Sequence, residues 1–198
     1  MIHGSQAYSG GMFVVTLNTG TVWLSPPVVS DIDAICAACS DSAIAEWTTM
    51  PSPYARSDAE HFVRRTVPSG WADRSPVWAI RERADGPAVG MIGLLARDTS
   101  SAEIGYWLAA GARSRGLMAT AVEVVCDFAF RPDGMGLERI EWRAFVGNHD
   151  SAAVARKLGF RFEGVQRRGL LQRGVRRDSW MAALLADDPR TPADGWPD

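Results

Sequence analysis

Ala102 to Ala119 reads AEIGYWLAAGARSRGLMA, and the stretch divides into a strand, an anion-binding loop and the start of a helix. Residues 103 to 108 are strand formers. Ile104, Tyr106 and Leu108 are predicted to face one side of a sheet, with Glu103, Gly105 and Trp107 facing the other. Gly111 ends the strand, and Arg113, Ser114, Arg115 and Gly116 follow. Leu117, Ala121, Val125 and Phe128 then recur at helical spacing. A first helical turn offers unpaired N–H groups and the positive end of the dipole. Glycine lets an oxyanion approach the main chain, and arginine adds charge-assisted hydrogen bonds. By itself, RxxG before a helix is equally compatible with a plain surface loop.

Working outward, the segment Thr21–Leu24 is a short strand. It leads through Pro26-Pro27 to a helix capped at Ser30 or Asp31 that runs to about Cys39. TTMPSP, after Trp47, is loop chemistry. Ser57 with Glu60 makes a capping-box pattern for a second helix, which Pro68-Ser-Gly70 is expected to break. Val77–Arg83, Val89–Arg97 and Ala102–Leu108 are three strands with short connections, an antiparallel meander. The helix from Gly116 to Phe130 follows, then a strand over Arg139–Val146 and a short helix at about Asp150–Leu158 ended by Gly159. Strands around Arg161–Leu170 and Val175–Leu185 close the chain. This predicts a single domain over 21–186, a flexible extension over 1–20 and a mobile Pro/Asp-rich tail over 187–198.

The 198 residues suffice for a full core. A formal net charge of −2 argues against a general nucleic-acid binder. No run is long and apolar enough for a membrane span, and MIHGSQAYSGG lacks the basic and apolar regions of a signal peptide. Three cysteines without a disulfide-like framework suit a reducing, cytoplasmic setting. Cys36 and Cys39 form a lone CxxC within a helical pattern and are read as small core residues. The histidines His3, His61 and His149 are too scattered for a metal site, so no metal is expected.

The opening stretch resembles the acyl-CoA-binding motif of the GNAT N-acetyltransferase superfamily, Gln/Arg-x-x-Gly-x-Gly/Ala, with Arg113, Gly116 and Met118 on its three positions. Met118 in place of a small residue is similar to the RimJ/RimL-like branch, which acetylates protein N-termini. EIGYWL at 103–108 and NHDSAAVARKLGF at 148–160 carry the resemblance furthest, and it extends from about Val22 to Ala183. It implies an α/β (α+β) GNAT fold: a mixed, mostly antiparallel sheet flanked by helices, with two splayed parallel central strands. Acetyl-CoA, as co-substrate, would lie in the notch between those strands.

Further roles follow from the resemblance. The backbone of Arg113, Ser114, Arg115, Gly116, Leu117, Met118 and Ala119 would hold the CoA phosphates. That of Trp107, Leu108 and Ala109 would pair with the pantetheine and polarise the thioester. Asn148 matches an asparagine contacting the CoA arm, and is equally an N-cap. Glu103 matches a catalytic glutamate. As a half-buried carboxylate with a raised pKa it would take the amine proton; otherwise it orders a water. The family's usual tyrosine, seven residues after the asparagine, is Ala155 here; Ser151 takes the place of the proposed acid in the RimL-like branch, or is an ordinary first-turn residue. Trp47, Tyr54 and Trp71 would line the acceptor site, unless they are core, as Trp142 is expected to be.

The expected acceptor is a primary amine of a protein N-terminus or a small molecule. An α-amine with a pKa of about 8 is partly neutral at neutral pH, whereas lysine, at about 10.4, is almost wholly charged. The cluster Arg167, Arg168, Arg173, Arg176 and Arg177 would greet an acidic substrate or a succinyl group, or form a solvated face. The alternative to an enzyme is a GNAT domain that binds acyl-CoA as a sensor. Neither GxxxxGK[ST] nor GxGxxG is present. The oligomeric state, a homodimer included, is left open.

Overall fold

The computed structural model describes residues 3–4 and 13–197. The chain runs through strands β1 (His3–Gly4), β2 (Val15–Asn18) and β3 (Trp23–Ser25), then helices α1 (Ile32–Cys39), α2 (Ser42–Trp47), α3 (Arg56–His61) and α4 (Val67–Ala72). Strands β4 (Val77–Arg81), β5 (Gly90–Ala96) and β6 (Ser101–Leu108) follow. After them come helix α5 (Leu117–Phe130), strand β7 (Arg139–Phe145), helix α6 (His149–Lys157), and strands β8 (Arg161–Gln172) and β9 (Val175–Leu185). The nine strands form one sheet in the order β1-β2-β3-β4-β5-β6-β7-β9-β8. Among the described residues only β6 and β7 run parallel, because α5 carries the chain back across the sheet between them. The expected mixed, mostly antiparallel sheet with a parallel central pair is the fold observed.

Two apolar layers cover the sheet. Under α5 and α6 lies the larger core, built around Trp78, which is fully buried and meets Trp71 and Phe128 edge-on at 5.1 and 5.9 Å between ring centres. Against the opposite face α1, α3 and the turn after α3 place Ile32, Ile35, Cys39, Ala59 and Val63 over Ala79 and Met91. Each fully buried large apolar side chain contributes about 1.5–3 kcal/mol. Among the described residues no helix is long and apolar enough to cross a membrane.

Burial also sets a pH limit on the fold. Desolvation pushes the thiols of Cys39 and Cys126 from an ordinary 9.0 up to about 12. Above about pH 9 the unfolded chain releases these protons while the folded chain keeps them, so stability falls as pH rises towards 12. The urea midpoint is expected to drop between pH 8 and pH 10.5. A Cys126→Ala variant is expected to lose part of that dependence; an unchanged slope would mean the thiol ionises in place.

Several local expectations are corrected. The extension expected over 1–20 is not flexible throughout: Val15–Asn18 is a strand whose Val15 and Leu17 are buried, held by the Trp78 indole, which donates to the Val15 carbonyl at 2.7 Å. Its remainder includes residues 1–2 and 5–12, outside the described residues. The tail expected to be mobile is packed. Trp196 lies against Trp142 and Phe162 and donates to the Phe160 carbonyl at 3.0 Å, and Arg190 covers the Phe130 ring at 4.7 Å. Gly159, in the left-handed region, lets this tail pass, since a Cβ there would stand 2.4 Å from the Pro189 carbonyl. Helix α3 begins at Arg56 rather than Ser57, and the reach-back to the Ala55 N–H comes from Asp58 at 2.8 Å, not from Glu60. Pro68 does not break the helix. Phe62–Thr66 widens into a π turn, with the Val67 N–H reaching Phe62, which relieves the proline ring's clash with the preceding turn.

Candidate active site

Strands β6 and β7 keep parallel register only from Ser101↔Arg139 to Ile104↔Trp142. Beyond that point each strand stays with its outer partner. β6 follows β5 as far as Gly90↔Leu108, and β7 follows β9 as far as Phe145↔Ser179. The gap therefore opens between them, and a cavity of about 220 Å³ occupies it, lined by Trp47, Glu103, Tyr106, Trp142, Asn148 and Ser151 among others. The Ala109 N–H donates to Val89 at 2.9 Å, and in an antiparallel ladder alternate residues face alternate neighbours. Ala109 and Trp107 thus spend their backbone on β5. Tyr106 and Leu108 are the residues whose backbone faces away from β5, towards the notch, although the Leu108 carbonyl accepts from Arg113.

At the mouth of the notch stands the N-terminus of α5. Ser114 and Gly116 both have left-handed backbone, with φ of 59° and 78°, an alternation that gathers successive N–H groups on one side of the loop. The first helical bond there is Thr120 N–H to Gly116 O, and the donors before it have no intrahelical partner. Around the place a Gly116 Cβ would take, there is nothing within 4 Å. The arginine side chains of this loop are otherwise engaged. Arg113 donates to the Leu108 carbonyl at 3.1 Å and to Asp41 at 2.7 Å, and Arg115 pairs with Glu82. Asp41 caps α2 through the Ala43 N–H at 3.0 Å; that bond and the Arg113 guanidinium hold its carboxyl below the usual range. Arg113 therefore ties the loop to α2, and what the loop leaves to offer is its backbone N–H groups.

Glu103 lies on the opposite side of β6 from Tyr106, and borders both the notch and a wider cavity of about 820 Å³ between α3–α4 and β5–β6. The Glu103 carboxylate is ion-paired with Arg97 and lies 3.7 Å from Arg143. The two guanidiniums come from the β5–β6 turn and from β7.

Across the notch, Asn148 caps α6 by accepting from the Ser151 N–H at 3.3 Å. Trp142, buried as expected, brings its indole Nε1–H to 3.0 Å from the Tyr106 hydroxyl and 3.1 Å from Ser151 Oγ. The two hydroxyls are 3.2 Å apart. Sequence reasoning placed Tyr106 on a strand face and missed it as a notch residue. Its alternation with Glu103 was legible, but the approach of α6 to β6 was not.

Of the expected acceptor residues, only Trp47 lines the notch. Trp71 is 1% exposed, packed on Trp78 with its indole donating to the Val77 carbonyl. Tyr54 belongs to the smaller core beside Cys39. Trp71 is a core residue because α4 presses onto the sheet, and Tyr54, in the loop before α3, is half-buried against the smaller core. The arginine cluster divides: Arg167, Arg168 and Arg176 are exposed, whereas Arg173 and Arg177 are engaged. Gln172, Arg173 and Arg177 donate to carbonyls at 45, 46, 48 and 50, the end of α2 and the turn after it. Arg177 also covers the Phe145 ring at 4.4 Å. The β8–β9 hairpin thereby caps α2 and holds Trp47 over the notch.

This splayed parallel pair, with a helix N-terminus at its mouth, defines an acyltransferase-type fold. Residues 21–161 match the acetyltransferase (GNAT) domain family, and the chain belongs to that family. Proteins named RimJ and RimL are among those it is similar to. It is 37% identical over 103 residues to the Bacillus subtilis protein named "Putative ribosomal N-acetyltransferase YdaF", a match covering 51% of this chain and 55% of that one, so the chain spans about half that relative's length. Mycobacterium smegmatis RimJ in complex with CoA-disulfide is 25% identical, with 84% of this chain and 82% of that chain covered and a TM-score of 0.73. The apo structure of RimL, a ribosomal L7/L12 alpha-N-protein acetyltransferase, is alike in fold at 19% identity and a TM-score of 0.77, with 92% and 99% covered.

Proposed function

We propose that this chain is an acetyl-CoA-dependent N-acetyltransferase whose acceptor is a protein N-terminal amine. The observation that carries the reading is the notch: the α5 N-terminus at its mouth, β6 backbone released from β7 along it, and polar side chains on both walls. These residues fit an acyl-CoA. Backbone donors from Ser114 to Ala119 suit the diphosphate, the Tyr106 backbone and the Leu108 N–H suit the amides of the pantetheine, and Asn148 borders the same cleft. On the Glu103 side an amine gives up its proton as it attacks the thioester; on the Ser151 side the thiolate departs. The wide cavity beside Glu103 has room for a chain terminus rather than only a small amine. The branch relatives named for ribosomal proteins support a protein acceptor. Arg173 and Arg177 are already engaged with α2, which favours acetyl over succinyl as the acyl group.

Calorimetric titration with acetyl-CoA, succinyl-CoA and ATP tests the donor. Micromolar binding of acetyl-CoA without ATP binding is expected, and no binding of any CoA ester would overturn the proposal. Gly116→Asp puts a carboxylate in the empty space beside the loop and strains a left-handed residue. It is expected to weaken acetyl-CoA binding about 100-fold, the loss of one or two charge-assisted hydrogen bonds. Unchanged affinity would move the phosphates elsewhere. One observation favours a non-catalytic module, the ion pairing of Glu103; thiol release that depends on added amine separates the two.

A further inference from the structure

On the reading that acyl-CoA lies in the notch, we propose that the Tyr106 hydroxyl is the proton donor to the departing CoA thiolate, with Trp142 and Ser151 as the residues that position it. Tyr106 stands on β6 two residues beyond the last parallel pair, Ile104↔Trp142, where the strands have just parted. Its side chain crosses the gap to α6.

The polarity of the contacts selects its role. An indole N–H can only donate, and that of Trp142 is aimed at both hydroxyls, at 3.0 and 3.1 Å. Ser151 Oγ donates to the phenol oxygen at 3.2 Å. With two donors directed at it, the phenol oxygen accepts, and its single proton points away from them. At rest that proton goes to the Ser151 carbonyl at 3.2 Å, a long bond that a sulfur entering the notch can replace. Burial pushes the phenol up to about 12, so at neutral pH it carries the proton it would give. Trp142 is itself fixed by Trp196 of the packed tail, 5.3 Å away ring to ring. Ser151 alone is the weaker donor, since its own proton is committed to Tyr106.

The step balances. The neutral amine nitrogen bonds to the acyl carbon, the C–S bond breaks, and sulfur leaves with the electron pair. The phenol proton passes to sulfur, giving the CoA thiol. The phenolate, held by the Trp142 N–H and Ser151 O–H, regains a proton from water in the notch. The proton lost by the amine leaves through Glu103 to water, and no net proton is gained or lost by the protein.

The test needs no acceptor amine. Enzyme saturated with CoA is titrated from pH 6 to 10, following the ultraviolet absorbance of the thiolate. A donor aimed at the sulfur favours the charged form, so bound CoA is expected to ionise about one pH unit below free CoA, tenfold in the equilibrium constant. Tyr106→Phe is expected to return the bound thiol to its free value, with CoA affinity at pH 7 unchanged within about threefold, which also reports an intact fold. Ser151→Ala is expected to remove only part of the shift. The charged groups bordering the same cavity, Glu103 and Arg143, are the same in all three proteins. A Tyr106→Phe protein whose bound thiol titrates like the wild type would overturn this proposal and leave acyl-CoA binding standing. A wild-type protein that binds no CoA would remove the functional reading and this step with it.

Discussion

Glu103→Gln is expected to lower the turnover of amine acetylation by about 10²–10⁴-fold, the usual contribution of a positioned base, and to leave the acetyl-CoA dissociation constant unchanged. The two effects separate because Glu103 sits on the face of β6 opposite Tyr106, at the border of the wide cavity. Glutamine keeps the shape and can still accept from Arg97, so the fold is expected to shift by less than about 1 kcal/mol, as for other partly exposed ion pairs. The measurement is thiol release from acetyl-CoA with a pool of peptides bearing free N-termini, the N-acetylated pool serving as blank. Equal turnover by the variant would remove Glu103 as base. Its role would then be to hold Arg97 and Arg143 at the rim.

The largest stability effect is expected at Arg81. Its guanidinium is 6% exposed and makes two bonds to Asp31, at 2.8 and 2.6 Å, one to the Gly86 carbonyl at 2.8 Å and one to Ser25 Oγ at 3.0 Å. Asp31, 4% exposed, also accepts from the Val28 N–H at 2.8 Å. One side chain thus joins β3, β4, the β4–β5 turn and the entry to α1. Arg81→Leu leaves a buried carboxylate without its cation, and is expected to cost about 3–5 kcal/mol, a fall in Tm of about 10 °C for a chain of this size. Asp31→Leu together with Arg81→Leu is expected to recover much of the loss, because neither charge is then stranded. Thermal unfolding of the two variants checks this. A single variant within 1 kcal/mol of the parent would mean that water or another group takes the place of the guanidinium.

Most of the elements were legible in the chain because short-range chemistry sets them. The alternation of Glu103, Ile104, Gly105 and Tyr106, the apolar spacing from Leu117 to Phe128, and Gly116 before that helix are local signals, and each appears at its expected place. Two local signals misled. Pro68 reads as a stop, yet a π turn absorbs it within a helix whose buried face, Val63, Val67 and Trp71, is worth more than the disturbed turn. Pro and Asp in the tail read as mobility, yet a single indole, Trp196, anchors that segment beside Trp142.

By itself the sequence determined the family, the loop that suits phosphates and the strand that carries Glu103, since these depend on residues adjacent in the chain. Only the tertiary structure decided who meets whom across the notch. Arg113 turns to Asp41, Arg173 and Arg177 spend themselves on the end of α2, and Trp142 draws Tyr106 and Ser151, 45 residues apart, together. The reason is physical: a side chain's partner is set by packing between distant elements, and no spacing along the chain encodes it.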